Sequence, residues 1–352
     1  SRQATARHIL THTGGWVGDF FVDTGAGEDA LPRYVAQMAA LEQLAPLGMF
    51  YSYNNAGFYL AGHLIATLTG KDYLEVLKEL VLDPLELERI LFYPGDVMTH
   101  RFAVGHHEEA GKAAVSRPWP LPRAAYAAGG IACDVQTLLR YAQFHLGDGR
   151  VKEGAQILTP ESMTLMQTPC VTIWKDAAVG LSWHLDDIEG VRTVGHGGGT
   201  VGQVSMLTLV PAHRFALALL TNSDDGGKVV DDVQRWVLKE RFGVERPDPA
   251  PIESTEDDLR PFVGRYVRPM AEIELGLLAG QLVGQLVYKQ GFPDKDTPPP
   301  PAPPPVSLAR CEESRLLVTS GPLDKACVDV LRKPDESIGW LRLGRLYKRV
   351  GM

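Results

Sequence analysis

Two short stretches carry side chains that could do chemistry. The first is "YSYNNAG" at 51–57, where Tyr53 and Asn55 stand at the entrance of an amphipathic run. A phenol can exchange a proton and a carboxamide can hydrogen-bond a polar group, so the pair fits a catalytic site. Taken alone, Tyr-x-Asn is common, and a buried tyrosine beside a helix-capping asparagine would leave the same letters. The second stretch is "HGGGT" at 196–200, comprising His196, Gly197, Gly198, Gly199 and Thr200. By itself it reads as a flexible turn. The order of the two, with a short capped helix before the first and a strand after the second, is much harder to reach by chance.

Other candidates are weaker. "HILTH" places His8 and His12 four residues apart, as on a zinc-binding helix, but Ile9 stands where that motif needs its glutamate base. "GHHEE" at 105–109 offers further ligand types on an expected surface loop. Structural or solvent-facing histidines are the preferred reading, and no metal or other cofactor is expected. Cys133, Cys170, Cys311 and Cys327 form no C-x-x-C pair, which points to buried free thiols. Cys311 and Cys327 could meet across a small β domain.

The elements that must position these residues follow from pattern. Thr5 can cap a helix through "ARHILTH", stopped by the glycines of "TGG" at 13–15. After Asn55, apolar residues at Phe58, Leu60, Ala61, Leu64, Ile65 and Leu68 have helical spacing, closed by Gly70. "DYLEVLKELVLDPLEL" predicts a helix ending near Pro84, "DVQTLLRYAQFHL" one capped by Asp134, and "DDVQRWVLKERFG" a closing helix. Residues 191–222 have β-branched runs between Gly and Pro turns, predicting three successive antiparallel strands.

The 352 residues are 45% hydrophobic with a net charge of -8, room for one large and one small domain. No basic run suggests nucleic acid, and no apolar stretch is long enough to span a bilayer. The expected organisation is α+β: residues 1–242 as the main domain, an acidic Pro-rich linker at 243–255, and residues 256–352 as a small β-barrel or sandwich. "TPPPPAPPP" at 297–305 reads as an extended exposed loop. The tail shows no catalytic constellation.

The blocks "ATARHILTHTGGW", "YSYNNAGFYLAGHLIATLTG", "AAGGIACDVQTLLRYAQF" and "VGHGGGTVGQVSMLTLVPAHRFALALLTNSD" together resemble the serine β-lactamase and penicillin-recognising family. The likeness is to its class C-like branch of β-lactamases, esterases and D-amino-acid peptidases, over roughly residues 4–242. It implies a β-lactamase/transpeptidase-like fold, an antiparallel sheet flanked by helices. The family uses Ser-x-x-Lys, Tyr-x-Asn, and Lys-Thr-Gly or a His-x-Gly variant. The resemblance makes Tyr53 and Asn55 the second element and His196, Gly197 and Gly198 the third. A phenol, with an ordinary pKa of about 10, serves as base only where cations favour the phenolate. Asn55 would meet the substrate carbonyl or hold the catalytic lysine, and the Gly199 N–H would face the oxyanion. The tail is similar to the lipocalin-like domains of some D-aminopeptidases.

This chain departs from that pattern twice. His196 replaces the usual lysine, so the positive charge there is weaker near neutral pH. No serine is followed three residues later by lysine. The reading is a serine hydrolase cleaving a small amide or ester through an acyl-enzyme. A D-amino-acid peptide or simple ester is expected as substrate ahead of a β-lactam. The nucleophile is expected on a separate N-terminal fragment, produced by a chain break just before Ser1, that stays bound. The alternative is a binding or sensor protein that has kept the pocket and lost the nucleophile.

Overall fold

The computed structural model describes residues 3–152, 154–292 and 296–351; the break expected before Ser1 lies outside them. The chain divides into two compact units. One holds the residues through Thr11, Asp23–Ala39 and Gly57–Arg246; the other holds His12–Val22, Ala40–Ala56 and the chain from Pro247 on.

In the first unit, α1 (Ala6–Leu10) begins at Thr5, whose N–H donates to Nδ1 of His8 at 3.2 Å. It stops one turn before the glycines because His12 takes a left-handed φ of 56°. α2 (Asn55–Thr69) starts in the second unit and runs through the first to Gly70, whose φ of +69° ends it as the sequence predicts. The run after Asp72 is α-helical only over Tyr73–Leu77 and continues as a π-turn over Lys78–Leu82. In α3 (Val135–His145) the Asp134 carboxylate accepts from the Thr137 N–H at 2.7 Å, a cap worth about 1 kcal/mol.

Six strands then form one antiparallel sheet in sequential order: β1 (Val171–Trp174), β2 (Ala177–Val179), β3 (His184–Ile188), β4 (Val191–Thr200), β5 (Gln203–Val210) and β6 (Phe215–Thr221). The last three match the expectation for 191–222. The first three were not read from sequence: they are short, and "HLDDI" lacks a clean alternation. Side-chain parity sorts the two faces. Leu185, Val194, Leu207 and Leu209 pack with Ala142 of α3, whereas Ile188 and Val210 pack with Leu238 of α4 (Gly226–Phe242). The sheet is therefore covered by a helix on each face.

The second unit is built on a closed eight-stranded antiparallel barrel. Its strands are β7 (Gly264–Arg268), β8 (Ala271–Leu278), β9 (Gln281–Tyr288), β10 (Val306–Glu312), β11 (Arg315–Val318), β12 (Cys327–Arg332), β13 (Ile338–Leu343) and β14 (Arg345–Val350). Closure by β7–β14 pairing leaves no free edge, which decides between barrel and sandwich. Tyr266, Leu282, Leu308, Leu316, Val330, Leu341 and Tyr347 join one buried cluster, so side chains fill the interior as in other narrow barrels. Residues 298–305, between β9 and β10, form no strand and are mostly exposed, as expected. Cys311 and Cys327 do meet, as free thiols, and burial together with Cys327 pushes Cys311 up to about 11.

This unit is larger than the 256–352 segment expected from sequence, and the reason lies on the outer barrel wall. Trp340 and Leu346 pack with Val17, Leu44 and Ala45, and the Trp340 Nε1–H donates to the Leu44 carbonyl at 2.8 Å. Segments 12–22 and 40–56 thus share a core with the barrel. Each fully buried side chain of this size contributes roughly 1.5–3 kcal/mol.

Candidate active site

The second unit holds Tyr53 and Asn55. Ser52 and Asn54 are buried and Tyr53 and Asn55 half-buried, so burial alternates along the irregular segment that enters α2. The buried pair is anchored: the Asn54 N–H donates to Nδ1 of His12 at 2.9 Å, and Asn54 Nδ2 donates to the Trp16 carbonyl at 3.1 Å. His12, buried to 1% exposure, stacks its ring on Tyr53 with centroids 4.5 Å apart. His12 has left the helix carrying His8 and serves the Tyr53 segment, so the two histidines do not make the i, i+4 metal pair.

Asn55 is the first residue of α2 and not its cap. Its Nδ2 donates to Oδ1 of Asp19 at 3.0 Å. Asp19 also accepts from Arg268 Nη1 at 2.6 Å, Arg345 Nε at 2.7 Å and Arg345 Nη2 at 3.2 Å. These donors fill the roughly four acceptor positions of one carboxylate. Burial alone would push the Asp19 carboxyl up; Arg345 and Arg268 outweigh it and hold the group below the usual carboxylate range. The close approach depends on Gly18. A Cβ there would sit 2.6 Å from the Tyr53 carbonyl oxygen and the Asn54 Cα, and the Ala56 N–H donates to the Gly18 carbonyl at 2.9 Å. The tail shows no catalytic constellation of its own in the sequence, but the barrel supplies both arginines that bond Asp19 beside Asn55. No local signal marks them, because Arg268 and Arg345 stand 249 and 326 positions from Asp19.

His196, Gly197, Gly198, Gly199 and Thr200 lie in the first unit, in the second half of β4. They are strand rather than flexible turn. Their register runs along β5 from His196↔Leu207 to Thr200↔Gln203, whereas pairing with β3 stops at His184↔Gly195. A Cβ on Gly197 would make ordinary contact and one on Gly199 would meet nothing within 4 Å. The chain's own packing does not demand glycine at those two positions. The His196 ring lies 5.0 Å from that of His184. Burial lowers the His196 pKa, with its hydrogen bond to the Gly197 carbonyl opposing, so the imidazole is neutral at pH 7.

His184 is depressed to about 4 by burial and by His196, and His145, buried against Tyr141 and Trp183, to about 4 by burial alone. Folded pKa values below the unfolded value mean that the unfolded chain binds protons first. The stability they contribute is complete above about pH 6.5 and lost as pH falls toward 4, by at most roughly 3 kcal/mol per histidine. Urea midpoints should therefore drop between pH 7 and pH 4.5, and His145→Gln should remove about half of that drop. A midpoint independent of pH over this range would contradict the assignment.

"GHHEE" contributes His106–Glu109 to a hairpin with Lys112–Val115, and His107 bonds Ser116 Oγ at 3.1 Å. Among the described residues no group of three or more His, Cys, Asp or Glu is arranged to hold a metal ion, and no helix is long and apolar enough to cross a membrane.

A helix-covered antiparallel sheet, a Tyr-x-Asn element at a helix entrance and a His-Gly strand define the class of the β-lactamase/transpeptidase-like fold. The beta-lactamase family model matches residues 1–240, and the chain belongs to that family. It is 33% identical over 277 residues to penicillin-binding protein 4 of Amycolatopsis lactamdurans, spanning 76% of this chain and 73% of that one. Among solved structures it is similar to SurE, with a TM-score of 0.73 and 24% identity over 99% of this chain and 79% of that chain. The D-amino acid amidase of Ochrobactrum anthropi, complexed with D-phenylalanine, has a TM-score of 0.54 and 21% identity over 68% of this chain and 73% of that chain.

Proposed function

We propose that this chain is the larger part of a serine hydrolase that opens a small amide or ester through an acyl-enzyme, with D-amino-acid amides or peptides as the preferred substrate class. The observation that carries the reading is the Tyr-x-Asn element. Its two half-buried side chains are engaged by charged groups, Arg345 over Tyr53 and Asp19 on Asn55, while their buried neighbours do the packing. The family likeness and the amidase with its D-phenylalanine complex support the choice of substrate.

In this reading the serine of an upstream Ser-x-x-Lys attacks the carbonyl, Tyr53 accepts its proton and passes it to the leaving group, and water then releases the acyl group. Asn55 orients the substrate carbonyl or the lysine. His196 acts as a neutral hydrogen-bonding group rather than a cation, and Gly197, Gly198, Gly199 and Thr200 lend backbone to the substrate, with the Gly199 N–H on the oxyanion. The deciding experiment compares hydrolysis of D- and L-phenylalanine amide by the full protein, with a penicillin label and an ester as further probes. Faster turnover of the D-amide supports the reading, and no turnover or labelling with any of them refutes it.

Gly199→Ala gives a finer check. The added methyl meets no atom of the chain, so the urea midpoint should stay within about 1 kcal/mol of wild type. Turnover should still fall, on the order of tenfold or more if the oxyanion geometry is disturbed. Unchanged turnover would remove this strand from the site. A second reading, binding without acylation, draws on the lack of Ser-x-x-Lys in the 352 residues; stoichiometric ligand binding without label uptake by the full protein would favour it.

A further inference from the structure

The β13–β14 hairpin touches the Tyr53 segment through backbone and side chain. The Tyr53 N–H donates to the Gly344 carbonyl at 3.0 Å, and the Leu346 N–H donates to Ser52 Oγ at 3.1 Å. Between those contacts the Arg345 guanidinium carbon lies 4.7 Å from the Tyr53 ring centroid, while its Nε and Nη2 grip Asp19. The turn is tight: Leu343 pairs with Arg345 across Gly344, whose φ is +66°. Arg345 thus projects from the end of a closed barrel with its backbone fixed on both sides.

We propose that Arg345 is a positioning residue of the Tyr53–Asn55 element, setting the proton affinity of the phenol and, through Asp19, the direction in which Asn55 points. The proposal rests on the reading above, in which Tyr53 is the proton acceptor. The groups facing Tyr53 from the surrounding segments include His12, Tyr51, Asp19 and Arg345. Behind them, Arg342 lies over Tyr51 and Arg268 bonds Asp19. With Asp19 ionised and both arginines charged, the Asp19–Arg268–Arg345 cluster carries net charge +1. Burial raises the Tyr53 pKa, Arg345 opposes that rise and Asp19 adds to it. Removing Arg345 leaves the two influences that disfavour phenolate, and it takes one donor from each Asp19 oxygen, leaving Oδ1 to Asn55 and Oδ2 to Arg268, so that the carboxylate holding Asn55 loses its anchor on the barrel hairpin. Arginine suits both contacts at once, because its planar fork can hold a carboxylate and lie over a ring at the same time; lysine would keep the charge but not the forked grip on Asp19.

The test places a fluorinated tyrosine, whose phenol is more acidic, at position 53 of the full protein and follows its titration by fluorine NMR. In Arg345→Gln the phenol pKa should rise by at least one unit with near-UV circular dichroism unchanged; a folded variant with an unshifted or lowered pKa overturns the proposal. If the glutamine variant does not fold, Arg345→Lys carries the test. Retained charge should keep its phenol within half a unit of wild type, and a larger move refutes the charge role. Turnover adds an independent readout. Arg345→Gln should lower kcat at least tenfold with KM changed less than threefold, and the acid limb of the kcat profile should move to higher pH with the phenol. A lower kcat with an unmoved limb would mark Arg345 as structural only. Because the NMR titration needs no turnover, a full protein that hydrolyses nothing would defeat the proposed function and leave this shift to be judged separately.

Discussion

Tyr53→Phe should lower ester and amide turnover by the full protein on the order of 10²–10⁴-fold, the usual contribution of a placed general base. The substitution removes one oxygen. The ring stays stacked on His12, the Arg345 guanidinium still lies over its face, and the Tyr53 N–H still donates to the Gly344 carbonyl. The urea midpoint should therefore change by about 1 kcal/mol or less. Burial holds the phenol above its ordinary range in this chain even with Arg345 beside it, so more positive charge is needed for Tyr53 to give up its proton near neutral pH. Steady-state rates and urea unfolding, measured on the same preparation, separate chemistry from folding. A variant that keeps most of its turnover would reduce Tyr53 to a packing residue.

That missing charge leads to the second expectation: catalysis should depend on a polypeptide segment bearing Ser-x-x-Lys. Its serine would be the nucleophile and its lysine the cation that favours the phenolate. β6 is the outermost strand of its sheet, with no partner strand beyond it among the described residues, and α4 exposes Val229 and Trp236, the latter to 63%. An open strand edge beside apolar surface is an aggregation liability when left uncovered, and an upstream segment would relieve it. Intact-mass analysis of denatured active protein should show the segment, as a second chain or as an extension. Fluorophosphonate should label its serine, and Ser→Ala there should cost on the order of 10⁴-fold or more in rate. A single 38.5 kDa species that hydrolyses esters would sink both the segment and the choice of nucleophile.

Features held in local pattern were legible. The ends of α2, the Asp134 cap and the three strands over 191–222 follow from spacing, capping chemistry and turn residues. Tyr53 and Asn55 could be named because their motif spans three letters. What could not be read was tertiary. Asp19, Arg268 and Arg345 are ordinary surface-type residues in sequence, and only the fold brings their charges together in a buried place. His12 was weighed with His8 as a metal pair because helical spacing was carried past Leu10, where the backbone turns left-handed. The barrel looked like a separate tail because the apolar residues covering its wall, Val17, Leu44 and Ala45, lie hundreds of positions earlier.

The separation of Asp19 from Arg345 also fixes an order of events during synthesis. At roughly 5–20 residues per second, the 326 positions between them take about 15–65 seconds to make. For most of that interval the nascent chain carries Tyr53 and Asn55 without the guanidinium that grips Asp19. The contacts of His12, Trp16 and Gly18 with the Tyr53 segment can form early, whereas those of Arg345 wait for the β14 strand. A message broken off before Arg345 would yield a chain that carries Tyr53 and Asn55 but lacks the guanidinium that bonds Asp19 and lies over the Tyr53 ring.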